Sequence, residues 1–371
     1  MLILIAIISI IAVIYFILMI YYWMSWTKIP LYQATSPGEE KISVIIPCRN
    51  EESNIVNLLN ALKRQTLPEE LFEVIVVDDH STDRTAELVI KFEKVILVRL
   101  EEDNINSYKK KAIETGINKA SGEIIVTTDA DCIPEPKWLQ TIATFHDDKN
   151  AAFIAAPVHY SIDSSMYQIF QSLDFMMMQG ITGASVHNKK HSICNGANLA
   201  YEKNAFYEVG GFSGIDAIAS GDDMLLMQKI RKRYPDRIHY LKSRDAVVST
   251  TASRTWKEFF HQRIRWASKA TLYDDKSIFT VLLIVYLFNL SFLLLFILAF
   301  WHSTYWVILF ALIVVKYFFE LPLLLSVASF FEQKSILKYF FILQPLHILY
   351  IIVAGLLGQF GSYEWKGRKV R

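Results

Sequence analysis

Glu123-Ile-Ile-Val-Thr-Thr-Asp-Ala-Asp131 decides how this chain is read. Gly122 precedes it, and the apolar run Ile124 to Val126 has the character of a buried strand. The stretch ends in Asp129 and Asp131, with one alanine between them. In a strand, residues i and i+2 point to the same side, so the two carboxylates would converge. They would converge at the C-terminal end of the strand, where open α/β sheets bind ligands. Two close carboxylates repel unless a cation stands beside them. A hard divalent ion with oxygen ligands, Mg2+ or Mn2+, meets that need and commonly bridges to phosphates. Asp is also common in the turn that ends a strand, so the tripeptide alone leaves both readings open.

Upstream, the same pattern repeats. Lys41 to Pro47 reads as a strand, and Cys48-Arg49-Asn50-Glu51-Glu52 as the loop after it. Asn54 to Gln65 reads as a helix with Ile55, Leu58, Leu59 and Leu62 on one face. Phe72 to Asp79 is a second strand ending in acids, and Ser81-Thr82-Asp83 can cap a helix over Arg84 to Phe92. Val95 to Arg99 is a third strand, Lys109 to Ala120 a helix, and Glu123 to Asp131 the fourth strand. Strands alternating with helices predict an α/β domain with a mostly parallel sheet. Polar groups gather at one edge of that sheet. No G-x-G-x-x-G follows the first strand and no G-x-x-x-x-G-K-[ST] occurs, so side chains must hold any nucleotide. Asp78 and Asp79 can accept hydrogen bonds from a base or ribose. Lys109, Lys110 and Lys111 either neutralise phosphates or form a solvated helix start.

Of the 371 residues 53% are hydrophobic, and they are unevenly spread. The net charge of +1 argues for no nucleic-acid partner. Cys48, Cys132 and Cys194 are too far apart for a metal or redox motif, which suits a reducing compartment. Residues 1–27 read as a transmembrane anchor: no charged side chain until Lys28, and an aromatic end at Tyr21, Tyr22, Trp23 and Trp26. Lys28 and Lys41 after it place the N-terminus outside and the following domain, 40–250, in the cytoplasm. Residues 251–275 contain an amphipathic stretch, Trp256 to Ala270, suited to the membrane surface. It mixes Trp256, Phe259, Phe260 and Trp266 with Lys257, Arg263, Arg265 and Lys269. Three apolar blocks, 278–301, 304–330 and 336–358, make 277–360 a set of transmembrane helices. If all four segments span, the basic tail from Lys366 lands outside, against the positive-inside rule, so one C-terminal block is a candidate for lying in the interface. Lys316 and Glu320, at i and i+4 inside a block, have the spacing of a neutralising pair.

Several stretches together resemble the motifs of family 2 glycosyltransferases. Ser43-Val-Ile-Ile-Pro-Cys-Arg-Asn-Glu-Glu52, Val77-Asp-Asp-His-Ser-Thr-Asp83 and Thr128-Asp-Ala-Asp131 are similar to the family's opening motifs. Asn195-Gly-Ala-Asn198, Gly221-Asp-Asp223 and Gln262-Arg-Ile-Arg-Trp266 follow in the family's order. The last resembles the Q-x-x-R-W signature of membrane-bound members, among them polysaccharide synthases and ceramide glucosyltransferase. The resemblance implies a GT-A fold flanked by transmembrane helices, a UDP-sugar donor (glucose or N-acetylglucosamine), and a polysaccharide or lipid acceptor. It implies that Pro47, Arg49 and Glu51 belong to the nucleotide-sugar site, that Asp79 meets the nucleobase and that Lys109 lies near the phosphates. Asp129 would serve the ribose and metal side and Asp131 the metal at the diphosphate. Asp223 would be the base, with Asp222 open as the alternative, because many processive relatives carry Thr-Glu-Asp where this chain has Gly221-Asp222-Asp223. Gln262, Arg265 and Trp266 would serve the diphosphate and acceptor.

The chemistry asks for the same residue types. Sugar transfer needs the charge of a leaving diphosphate neutralised by a metal and basic groups. It needs an acceptor hydroxyl activated by a carboxylate. One displacement with one base inverts the anomeric centre. Asp222 and Asp223 also suit the cap of a helix from Met224 to Arg233, whose N-terminus would keep a base ionised. A non-enzymatic sugar-nucleotide sensor or transporter subunit is the competing class, and the complete acid set argues against it. His187 and His191 lack the glutamate of a zinc motif, and Met176 to Met178 suit packing.

Overall fold

The computed structural model describes residues 1–371 except 36–37, 104, 106, 163–164, 219–220, 269–274, 361–362, 366–367 and 371. Lys269, Ala270 and part of the basic tail therefore lie outside the described residues. The strands are β1 (Ile42–Cys48), β2 (Phe72–Asp78), β3 (Val95–Arg99), β4 (Ile124–Thr127), β5 (Ile133–Pro134), β6 (Phe153–Ala155), β7 (Val158–Ser161), β8 (Leu199–Glu202), β9 (Ile238–Tyr240), β10 (Val248–Thr251), β11 (Tyr363–Trp365) and β12 (Arg368–Val370). The helices are α1 (Leu2–Lys28), α2 (Ile55–Lys63), α3 (Thr85–Val89), α4 (Tyr108–Lys119), α5 (Trp138–Lys149), α6 (Met166–His187), α7 (Lys203–Glu208), α8 (Met224–Arg233), α9 (Trp256–Ala267), α10 (Lys276–Leu298), α11 (Thr304–Phe330) and α12 (Phe340–Phe360). They form two compact units.

Residues 29–161 and 185–251 form the α/β unit. Its main sheet has the order β3-β2-β1-β4-β8-β6-β9. β8 runs antiparallel to both neighbours and the other pairs are parallel. β1 and β4 are central and buried on both faces, which is why they read as near-continuous Val and Ile runs. A smaller sheet, β5-β10-β7, lies apart from the main one. Because β2, β1 and β4 are parallel neighbours, the loops that follow them open at the same sheet edge.

Two sequence expectations need correction here. β4 ends at Thr127, and Asp129 to Asp131 lie in a turn that the Cys132 amide closes on the Asp129 carbonyl at 3.1 Å. Strand alternation therefore does not orient the two carboxylates; the turn does. The helix expected over Arg84 to Phe92 shortens to α3, followed by turns at Lys91 and Phe92. The Asp83 carboxylate does hold its start, accepting from the Thr85 amide at 3.0 Å.

Residues 1–28, 162–184 and 252–369 form the helical unit. Among the described residues, four of its segments are long and apolar enough to cross a membrane: Leu2–Lys28, Lys276–Leu298, Thr304–Phe330 and Lys334–Gly358. Most of α6 also belongs here, although the sequence places it inside the 40–250 domain. The reason is local. Gly180 packs so closely that an added Cβ would lie 2.7 Å from Val327 of α11. α9 begins with Thr255, whose side chain accepts from the Glu258 amide, while Glu258 accepts from the Arg254 amide. Its apolar face is met by its own unit: Phe259 is fully buried in a cluster with Phe170, Tyr350 and Ala354. Glu320 is likewise enclosed. It accepts from Lys316, from the Tyr15 hydroxyl, and from the Gln344 amide at 2.7 Å. Thus the i, i+4 pair is one part of a network joining α1, α11 and α12.

Candidate active site

Lys109, near the start of α4, is the centre of the site. Its ammonium lies 2.7 Å from Asp129 Oδ1 and 3.3 Å from Asp222 Oδ2. Burial pulls its pKa down, but Asp129, Asp222 and Asp223 outweigh burial and hold it above the ordinary lysine range. Of the three lysines in the run, Lys110 serves the fold, donating to the Ile215 and Ile218 carbonyls. Lys111 pairs with Glu102 and Glu114.

Asp223 caps α8. Its Oδ1 accepts from the Met224 amide at 2.7 Å and its Oδ2 from the Gly196 amide at 3.1 Å. Two backbone donors and a helix N-terminus favour the ionised carboxylate. Gly221 has φ +82°, a conformation that side chains rarely adopt, and it sets the Asp222-Asp223 pair at the helix start. Gly196 permits the close approach. A Cβ there would stand 3.2 Å from Asp222 Oδ2 and 3.3 Å from Lys109 Nζ.

The turn after β4 adds Asp131. The Cys132 thiol beside it is pushed well up, by burial first and then by Asp131 and Asp129, so both carboxylates act on one buried sulfur. Asp129, Asp222 and Asp223 thus surround one ammonium, and Asp131 adds a carboxylate in the same turn as Asp129, a surplus of negative charge that suits a divalent cation. Asp131, half-exposed in that turn, and Asp129 are the carboxylates that would hold such an ion.

The first two motifs meet at the loops after β1 and β2. Arg49 donates to the Asp79 carbonyl at 2.8 Å and to the His80 carbonyl at 3.2 Å. Asp79 is almost fully buried, and its Oδ1 lies 3.0 Å from His80 Nδ1. Pro47 pairs with Val77 across the sheet. Glu51 Oε2 accepts from the Asn54 side chain at 2.7 Å, so it organises the entry to α2. Gln262, Arg265 and Trp266 lie on α9 in the helical unit. Gln262 Oε1 is buried with no hydrogen-bond partner among the described residues.

Sequence reasoning missed four contributors. His80, with φ +53°, bridges Asp79 and Asp103. Gly196 borders the Lys109 cluster, and Tyr201 feels its charges: the Tyr201 hydroxyl is buried without a hydrogen-bond partner among the described residues, and its pKa is raised by burial and then by Asp222. Asn198 is fully buried. It accepts from Trp138 Nε1 and donates to the Pro157 and Ala246 carbonyls, which locks the segment bearing Gly196. The signal for His80, Gly196 and Asn198 was their place inside quoted motifs; Tyr201 had none.

Away from this site, Glu40, His146 and Asp147 bring one ligand-type atom each within 4.8 Å of one another. Glu40 and Asp147 both face the His146 ring. His146 Nδ1 faces Glu40 at 3.0 Å and Asp147 at 3.3 Å, and its Nε2 faces Glu202 at 3.3 Å. Burial lowers the imidazole pKa, but these carboxylates, Glu202 foremost, hold it above its ordinary value. His187 ends α6, so the i, i+4 helical spacing with His191 does not exist.

Residues 43–210 match the family model described as Glycosyl transferase family 2. The chain thus carries a family 2 glycosyltransferase domain. Its fold is GT-A, a mostly parallel sheet with polar loops at one edge. The chain is similar to the probable glycosyltransferase YdaM of Bacillus subtilis (strain 168), 26% identical over 247 residues, 65% of this chain and 57% of that one. It is similar to the poly-beta-1,6-N-acetyl-D-glucosamine synthase of Staphylococcus epidermidis, 24% identical over 251 residues, again 65% and 57%. The chain therefore spans little more than half the length of these relatives. Among solved structures, the mannosyltransferase PcManGT from Pyrobaculum calidifontis, in complex with GDP-Man and Mn2+, shares the fold with TM-score 0.60. That match is 20% identical and covers 96% of this chain and 99% of the other.

Proposed function

We propose that this protein transfers a sugar, with inversion, from a UDP-sugar to a polysaccharide or lipid acceptor at a membrane. The observation that carries the reading is the Lys109 cluster, which gathers Asp129, Gly196 and the Asp222-Asp223 pair from three separate stretches of sequence. In this reading Asp79, with Arg49, Pro47 and Glu51 around it, receives the uracil end of the donor. Asp129 serves the ribose and Lys109 the phosphates. Asp131 holds Mg2+ or Mn2+, which supplies charge neutralisation to the leaving diphosphate. Asp223 takes the proton from the acceptor hydroxyl. The acceptor oxygen bonds to the anomeric carbon as the carbon–oxygen bond to the diphosphate breaks, and the one displacement inverts that centre. We keep for Gln262, Arg265 and Trp266 the diphosphate and acceptor role that their motif implies.

The donor reading is supported by the N-acetylglucosamine polymer named for the Staphylococcus epidermidis relative, and the metal by the Mn2+ of the Pyrobaculum structure. The four apolar helices support a membrane site, and Lys28 supports a cytoplasmic catalytic domain. The test is product analysis with purified protein, native membranes and labelled UDP-glucose, UDP-N-acetylglucosamine and GDP-mannose, each with and without Mg2+ or Mn2+. Label in polymer or on lipid from a UDP-sugar, abolished by chelator, is the expected result. Label from GDP-mannose alone contradicts the donor reading; no transfer from any donor contradicts the enzyme.

A further inference from the structure

We propose that Asp174 of α6 is a positioning residue: through Arg263 it fixes the rotation of α9 and hence the direction in which Gln262, Arg265 and Trp266 project. The functional half of this inference rests on the acceptor-side role read above for those three residues. Arg263 occupies a variable place in the motif, yet its side chain is only 1% exposed and that of Asp174 only 5%. Arg263 Nη2 lies 2.7 Å from Asp174 Oδ2. The other carboxylate oxygen is 3.4 Å from His347 Nε2 on α12. The guanidinium carbon stands 4.2 Å over the Trp266 ring and 4.9 Å from the Phe259 ring. Arg263 is therefore held between a carboxylate and the indole face of a motif residue.

A buried ion pair adds little to stability, since well-packed apolar groups do as well, and its best-attested use is to specify geometry. That use fits here. Phe259, Arg263 and Trp266 follow at i, i+4 and i+7, one face of the helix. A turn of α9 by one residue would rotate that face by about 100° and take the guanidinium away from the buried Asp174. Burial alone would raise the Asp174 carboxyl, but Arg263 and then His347 outweigh it and keep it below the usual carboxylate range.

The test uses the full chain in detergent, with Asp174→Asn, Asp174→Glu, Trp266→Ala and the Asp174→Asn/Trp266→Ala double variant. Two readouts are taken: hydrogen exchange of residues 256–267, and kcat and KM for donor and acceptor. Asp174→Asn should speed exchange in 256–267 but not in β1. It should lower kcat by about 10-fold or more with donor KM little changed, the signature of misplacement. Asp174→Glu should restore part of the rate, and the double variant should be no worse than Trp266→Ala, because the losses share one route. Unchanged exchange in 256–267, or losses that multiply, would overturn the proposal. Normal turnover by Trp266→Ala would instead sink the acceptor-side role, while the exchange result still decides whether Asp174 positions the helix. If Asp174→Asn does not fold, Arg263→Lys takes its place, because it keeps the charge but loses the planar fork. Faster exchange in 256–267 with lower kcat is again the expected result, and unchanged exchange again overturns the proposal.

Discussion

At Gly196 a single methyl group would stand 3.2 Å from Asp222 Oδ2 and 3.3 Å from Lys109 Nζ. Both neighbours are ends of side chains, so they would yield by tenths of an ångström without unfolding the domain. The cost falls on geometry instead. Gly196→Ala should leave thermal stability nearly unchanged and lower turnover by roughly 10- to 100-fold, since small displacements of positioned groups are expensive. Normal turnover in that variant would mean that the Lys109 cluster is not at the reaction centre. Asp129, Asp131, Lys109 and the Asp222-Asp223 pair stand out in the sequence by their charge and spacing. The assembly of Asp129, Asp222 and Asp223 around the Lys109 ammonium does not, because these residues meet only through the fold. Tyr201 was illegible for another reason: an aromatic on an apolar strand looks like core, and only the fold puts its hydroxyl near Asp222.

Among the elements, helices were easier to read than turns. The 3.6-residue period of α2 and the long apolar runs of α1, α10 and α11 appear directly in the sequence. The end of β4 does not: Thr127, Thr128 and Asp129 are locally compatible with a continuing strand, and the turn is set by the Cys132 amide bonding to the Asp129 carbonyl. The Lys316 and Glu320 pair was legible from its spacing, whereas Tyr15 and Gln344 had to be supplied by neighbouring helices. Glu320→Leu strips three donors of their acceptor and leaves the Lys316 ammonium buried, which should cost about 3–5 kcal/mol. Adding Lys316→Met should recover most of the loss in thermal unfolding; if the double variant is worse than the single, the pair is not mutually neutralising. A second contact links elements of the α/β unit. The segment before β1 is held on α5 by Gly38 against Ala143, by Tyr32 to Asp148 at 2.7 Å, and by Glu40 to His146. His146 has a raised folded pKa, so its contribution is fully present below the unfolded value of about 6.5 and is lost as pH rises through the folded one. The stability difference between wild type and His146→Gln should therefore be largest at acid pH and shrink as pH rises. Glu40, Asp147, Glu202 and, through Glu202, Arg237 are the charged groups around it. A difference that grows with pH would contradict a protonated His146.

For the whole molecule, the alternation of strands and helices was enough to define an α/β unit, and composition alone separated it from the apolar helices. What composition hid was the place of α6. Its sequence is ordinary for a soluble helix, and the packing of Gly180 on α11, of Phe170 on Tyr350 and of Asp174 on Arg263 assigns most of it to the helical unit. The proposed mechanism turns on Asp223 removing the acceptor proton at a site organised by Lys109. The direct measurement is donor binding and single-turnover transfer in Asp223→Asn and Asp222→Asn, side by side with wild type. Asp223→Asn keeps the shape and loses the base, so UDP-sugar affinity should hold while the transfer rate falls by roughly 10²–10⁴-fold, the usual contribution of a general base. Near-normal transfer by Asp223→Asn with a dead Asp222→Asn would move the base by one residue; near-normal transfer by both would contradict the mechanism.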